Sequence, residues 1–247
     1  MRIGIISDIH CDLQALETAL DALRDVDQVI CVGDLNLQYR FSNETSEIMQ
    51  ELHIPVVRGN HDAAILSSSG VMLRSSGQIK PDNLTHLRRV PLMLEWIIDG
   101  KKVMMMHTSP LDPTGGQDGG RAGVLLPWEG DRLAQPMFVE GGENGGVVSS
   151  VGDNAAAGRL EKIPNDQLPE AKADVLIVGH THRPLITRVG STLLINPGSL
   201  GLPRDPKKST MRTYAILDTS KRPWEVAIHG FDQPFTDAAI DMRLDES

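Results

Sequence analysis

Five of the eight histidines in this 247-residue chain fall into short polar clusters. In chain order the clusters are Asp8-Ile9-His10, Gly33-Asp34, Gly59-Asn60-His61-Asp62, His107 and Gly179-His180-Thr181-His182. Singly they are unremarkable, because Gly-Asp and Gly-Asn are ordinary turn dipeptides and a histidine after a strand is commonly a hydrogen-bonded loop residue. Together they supply four imidazoles (His10, His107, His180, His182), two carboxylates (Asp8, Asp34) and one amide (Asn60). Burying that many polar groups costs several kcal/mol apiece unless they pair with one another or bind a cation. Hard oxygen mixed with imidazole suits Mn²⁺, Fe or Zn²⁺ and implies no thiolate cage. Seven ligand-capable side chains are too many for one tetrahedral zinc and enough for two metals, with one carboxylate bridging.

The elements that must position these residues follow from hydrophobic pattern. Apolar runs predict strands over 2–7, 28–32 and 55–58, each ending where a cluster begins. Between them, Asp12 can cap a helix bearing Leu13, Leu16, Leu20 and Leu23, and Ser42 or Asn43 can start another with Ile48 and Leu52 facing inward. This β-α-β-α-β order predicts a layered sheet with helices outside, and strand C-terminal ends are where open α/β sheets place their sites. The second half changes character. Strands are predicted over 94–98 and 102–106, joined by the hairpin signal Asp99-Gly100, and again over 175–178, 192–195, 213–217 and 225–228. Little helix separates them, which implies a second sheet.

From about 110 to 173 no clear period of 2.0 or 3.6 is present. Twelve of the 23 glycines lie between Gly115 and Gly158. A segment of this length inside a domain is either a passive surface insertion or a lid or oligomer contact near the strand ends that it interrupts.

Composition excludes several classes. No apolar run approaches the ~18–20 residues of a membrane span. The first residues contain no signal-peptide pattern, and Cys11 and Cys31 form neither a CxxC nor a disulfide framework, which suits a reducing cytoplasm. The net charge of −9, from 33 acids and 24 bases, gives no global basic field for nucleic acid, and aromatics at 4% leave few stacking platforms.

The ordered clusters resemble the five blocks of the calcineurin-like metallophosphoesterase superfamily: D-x-H, GD, GNH[DE], H and GHxH. The stretch Asn196-Pro197-Gly198-Ser199 continues the likeness, which is greatest to the bacterial and archaeal phosphodiesterase-type group related to diadenosine tetraphosphatases and Ser/Thr phosphatases. The resemblance implies an α/β fold, a four-layer α-β-β-α sandwich of two mixed β-sheets, and a single domain over 1–247. It further implies that Asp8, His10 and His182 hold one divalent metal, that Asn60, His107 and His180 hold another, and that Asp34 bridges them. The ions would be Mn²⁺ first, with Fe, Zn²⁺, Ni²⁺ or Co²⁺ as alternatives. His61 would be the general acid. The implied activity is hydrolysis of a small phosphodiester or nucleotide-like ester by a metal-bridging hydroxide. Alternatives are a phosphomonoesterase or protein phosphatase, and a non-catalytic scaffold of the same fold.

Two departures limit the likeness. Relatives commonly carry HGSP or HGHP where this chain has His107-Thr108-Ser109-Pro110, and V-x-Y-G-P where it has Asn36-Leu37-Gln38-Tyr39-Arg40. Arg58 and Arg204 are weaker candidates for substrate phosphate, with surface ion pairing as the plainer role. Cys11 is read as a small packed side chain, Met104-Met105-Met106 as a buried strand, and His53, His86 and His229 as surface or packing residues.

Overall fold

The first strand, β1 (Arg2–Ile6), occupies the interior of a four-stranded sheet ordered β12-β11-β1-β2. It pairs in parallel with β2 (Gln28–Cys31) and antiparallel with β11 (Met211–Asp218), and β12 (Glu225–Asp232) closes that edge. A second, five-stranded sheet is ordered β3-β4-β8-β10-β9. Its members are β3 (Met93–Ile98), β4 (Lys101–Met106), β8 (Val175–Ile177), β9 (Pro184–Val189) and β10 (Thr192–Pro197). In it β4, β8 and β10 run parallel, with antiparallel strands outside them, so both sheets are mixed. The computed structural model describes residues 1–108, 173–203 and 210–234, plus the backbone of a small antiparallel sheet, β5 (Ala122–Leu125), β6 (Pro136–Val139) and β7 (Glu161–Lys162). Apart from that sheet the glycine-rich segment, with its lid expectation, lies outside the described residues.

The alternation of side chains along strands explains the core. Ile3, Ile5, Ile30 and Val32 from one sheet meet Val103, Met105, Val175, Ile177 and Ile195 from the other. The next residue along, Ile6 or Cys31, faces the helices, and Met104 and Met106 face the outer side of the second sheet. The three-methionine run is thus a buried strand, as expected. Helix α1 (Leu13–Ala22) starts at Asp12, whose carboxylate accepts from Ala15 N at 3.1 Å. It packs Ala15, Leu16 and Ala19 on the first sheet, with Leu23 just beyond its end. Ser42, not Asn43, caps α2 (Asn43–Glu51).

Some expectations fail locally. Leu52 follows the last turn of α2 and is 57% exposed, not inward. The strand over 55–58 shrinks to one bridge, Cys31 to Val56, because Pro55 cannot donate to a ladder. Three helices not read from the sequence follow it: α3 (Asn60–Leu66), α4 (Val71–Ser75) and α5 (Pro81–Arg89). Strand β9 was also not foreseen, since it begins on a proline. Among the described residues no helix is long and apolar enough to cross a membrane.

Candidate metal centre

Parallel strands β1, β2, β4 and β8 all end at one edge of the sandwich, and each of their following loops carries a polar cluster. The loop after β1 continues its pairing onto the loop after β2: Asp8 N donates to Gly33 O, and Ile9 N and His10 N both donate to Asp34 O, at 2.9–3.0 Å. This holds Asp8, His10, Cys11 and Asp34 in the left-handed region, with φ between 50° and 64°; His180 and His182 are left-handed too. Each such residue costs on the order of 1–2 kcal/mol, a strain that persists only where surrounding contacts over-determine it. The glycines before the clusters have two different reasons. Gly33 has φ 94°, a true left-handed turn. At Gly59 and Gly179 the need is close approach, since a methyl group would collide with the carboxylate of Asp34 or with Ser7 and Asp8.

The side chains converge. Asp8, His10 and His182 form one group with ligand atoms within 4.8 Å of one another, and Asp8, Asp34 and His107 form a second. A third, His10, Asp34 and His61, overlaps both. Asn60 joins through its carbonyl oxygen, 2.9 Å from His180 Nδ1 and 3.1 Å from His107 Nε2. Each carboxylate spends one oxygen on structure. Asp8 Oδ2 accepts from Ser7 Oγ at 2.5 Å and His180 N at 3.1 Å, and Asp34 Oδ1 accepts from His61 N at 2.9 Å. The other oxygens, Asp8 Oδ1 and Asp34 Oδ2, are buried and receive no hydrogen bond. Imidazole nitrogens nonetheless lie 3.2 Å from each, His182 Nε2 beside Asp8 and His107 Nε2 beside Asp34, and His10 Nε2 is 3.0 Å from His182 Nε2.

These spacings fit cation ligation. Two atoms about 2.1 Å from an ion and at right angles stand about 3.0 Å apart. The donor set, two orphaned carboxylate oxygens facing imidazole nitrogens, therefore suits divalent cations. Ring orientation agrees: Val32 O, 2.6 Å from His107 Nδ1, can only accept, so Nδ1 carries the proton and Nε2 faces the cluster.

Electrostatics follows from burial. Burial pushes His10 down to about 4 and His180 to about 3, the latter helped by the charge of His107, which keeps both rings neutral. Burial also opposes a charge on His107, but the Asp34 and Asp8 carboxylates and the Val32 carbonyl outweigh it and raise that ring to about 10. Both carboxyls stay below the usual range although burial opposes it. The surrounding histidines, His182 for Asp8 and His107 for Asp34 foremost, supply the compensating field.

His61 is half-buried at the cluster's edge. Gln38 and Tyr39 form the tip of a tight hairpin closed by the Leu37–Arg40 backbone pair, and Gln38 N donates to His61 Nδ1 at 3.2 Å. Asp62 fastens the same loop, accepting from the backbone of Leu35, Asn36 and Gly59 and from the Asn36 amide. Arg58 turns its guanidinium to the end of α5, donating to Arg88 O at 2.9 Å and Val90 O at 2.8 Å. Arg204 lies outside the described residues. Thr108 is buried, and burial pushes the Cys11 thiol up to about 12. The Asn196 amide, bonded to Gly179 O at 2.7 Å, pins the loop that carries His180 and His182. That supporting role was not read from the sequence, though a polar Asn-Pro-Gly-Ser run after a strand was its signal.

An α/β sandwich of two mixed sheets, with a carboxylate–imidazole cluster where its parallel strands end, is the architecture of metallophosphoesterases. The calcineurin-like phosphoesterase superfamily domain matches residues 1–125 and 131–222, and the chain belongs to that family. It is 28% identical over 243 residues to an uncharacterized protein of Methanocaldococcus jannaschii, spanning 87% of this chain and 82% of that one. A crystal structure of a metallophosphoesterase from Sphaerobacter thermophilus aligns with 100% of this chain and 95% of its own, at TM-score 0.62 and 25% identity. A hypothetical protein from Pyrococcus horikoshii OT3 shares the fold at TM-score 0.60 and 16% identity, over 99% and 92% of the two chains.

Proposed function

We propose that this protein is a single-domain, dinuclear-metal phosphoesterase acting on small phosphodiesters or nucleotide-like phosphate esters in the cytoplasm. The observation that carries the reading is the pair of buried carboxylate oxygens, Asp8 Oδ1 and Asp34 Oδ2, that receive no hydrogen bond while imidazole nitrogens stand 3.2 Å away. Asp8, His10 and His182 would hold one ion, Asn60, His107 and His180 the other, and Asp34 would serve both; Mn²⁺ is the first ion to test. When bound, two divalent cations supply Lewis-acid polarisation of phosphoryl oxygens and a water acidic enough to ionise near neutral pH. The remaining work falls to the chain. A backbone N–H occupies His61 Nδ1, which leaves Nε2 as the ring atom that would face a departing oxygen. To act as general acid the ring must be an imidazolium, so the Gln38 contact would open for Nδ1 to keep a proton while Nε2 gives one. Arg58, engaged at the end of α5, acts in this reading as a helix cap.

The test compares turnover of a bis-aryl phosphodiester with that of an aryl phosphomonoester at saturating Mn²⁺. Faster diester hydrolysis is expected. Equal or faster monoester hydrolysis overturns the diester preference, and no turnover of either by metal-loaded protein favours a scaffold.

A further inference from the structure

Among the described residues Arg212 is the largest side chain withdrawn fully from solvent, at 0% exposure, yet it belongs to β11, a strand that supplies none of the cluster residues named above. Its charge is met by Asp12, with Nη2 3.1 Å from Asp12 Oδ2. It also donates to backbone carbonyls: Nη1 to Leu200 O at 2.7 Å and to Gly201 O, Nε to Gln233 O at 3.3 Å, and Nη2 to Pro234 O at 3.3 Å. An ion pair buried this deeply is a poor way to stabilise a core, because similar-sized apolar side chains commonly do as well or better. What the pair does hold is a particular piece of backbone.

Its partners bracket residues 7–12 from two sides. Asp12 lies two positions beyond His10 and caps α1. The segment gripped by the guanidinium donates back to the same stretch: Leu200 N to Ser7 O at 3.1 Å, Gly201 N to Asp8 O at 2.8 Å, and Ser199 Oγ to Asp8 O at 2.8 Å. Between these brackets lie Asp8, His10 and Cys11, three consecutive-region residues held at positive φ. Left-handed backbone of this kind relaxes when its external contacts are lost. We propose that Arg212, acting with Asp12, is a positioning residue for the Asp8–His10 half of the centre: it locks the one backbone conformation that turns the Asp8 carboxylate and the His10 ring toward a shared cation. The planar fork of arginine is needed because one side chain must reach a carboxylate and several carbonyls at fixed angles. The proposal rests on the cation-binding reading above.

The experiment measures Mn²⁺ binding by calorimetry and thermal melting by circular dichroism on the full chain, as wild type, Arg212→Met, Arg212→Lys and the double variant Asp12→Asn/Arg212→Met. Wild type is expected to bind two ions. Arg212→Met should bind one of them about 10- to 100-fold more weakly, the usual cost of removing support behind a ligand. Arg212→Lys should fall between, keeping the charge and losing the fork. In the double variant the uncompensated buried charge is gone, so melting should return toward wild type while binding stays weak. Unchanged Mn²⁺ affinity in any folded variant, or recovery of affinity along with melting in the double variant, overturns the positioning role. A wild-type chain that binds no Mn²⁺ overturns the cation reading and this inference with it.

Discussion

Asn60 Oδ1 sits between two imidazoles, 2.9 Å from His180 and 3.1 Å from His107. On the other side of the cluster, Asp8 Oδ1, His10 Nδ1 and His182 Nδ1 are buried without a hydrogen bond. The two halves also differ in access: Asp8, His10 and His182 are all buried, whereas in the other half His107 is buried and Asn60 and His180 are half-buried. A neutral amide can satisfy its neighbours by hydrogen bonding, so that half is closer to balance as it stands. The carboxylate half is a buried anion with one oxygen that receives no hydrogen bond, and a divalent cation would satisfy it. The lesson is a division of labour. In the proposed reading the buried half, braced by Ser7, Ser199 and Arg212, would hold its ion more tightly, and the half-buried Asn60 and His180 would stand on the substrate side.

Five variants break or sharpen that division. Asp34 touches both halves, so Asp34→Asn should cost the most: less than one Mn²⁺ per chain by elemental analysis, and about 10³-fold or more in turnover from several kcal/mol of lost transition-state stabilisation. Two retained ions would show that the halves do not share it. His61→Ala should lower kcat by about 10²-fold or more with metal content unchanged; loss of an ion would move His61 from proton donor to ligand. Asp8→Asn should weaken the tighter ion about 100-fold and Asn60→Ala the weaker about 10-fold, by calorimetric titration. Equal losses would erase the contrast. Asn36→Ala, which removes a donor to Asp62 and an acceptor from Ser42 N, should cost about 1–2 kcal/mol by urea denaturation and leave both affinities within a few-fold.

The cluster residues were legible in the sequence because each is a polar group placed where an apolar run stops, and a strand end is a position that pattern reveals. Strands β1, β2, β4 and β8 were legible for the same reason. Their alternating neighbours, such as Met104 and Met105, sort onto opposite faces by a period of two. What stayed hidden was support from distant chain. Asp12 read as a helix cap, which it is, but nothing local marks it as the partner of Arg212, 200 positions later; that pairing exists only once β11 lies beside β1. Leu52 misled because helical periodicity continues past the residue where α2 ends. Helices α3 and α5 were missed because their apolar faces are short and meet in a small satellite core with Phe41, Leu73 and Ile79.

One neighbour relation in the first sheet governs when this site comes into being. Strand β1 pairs on one side with residues 28–31 and on the other with residues 215–218. A ribosome therefore delivers Asp8, Asp34 and Asn60 long before the carbonyl clasp of Ser199 and Gly201 and the guanidinium of Arg212. With His180 and His182 assigned to the two halves as proposed, neither half would close on a truncated chain that stops short of His180. Long-range pairing of this kind makes for slow assembly.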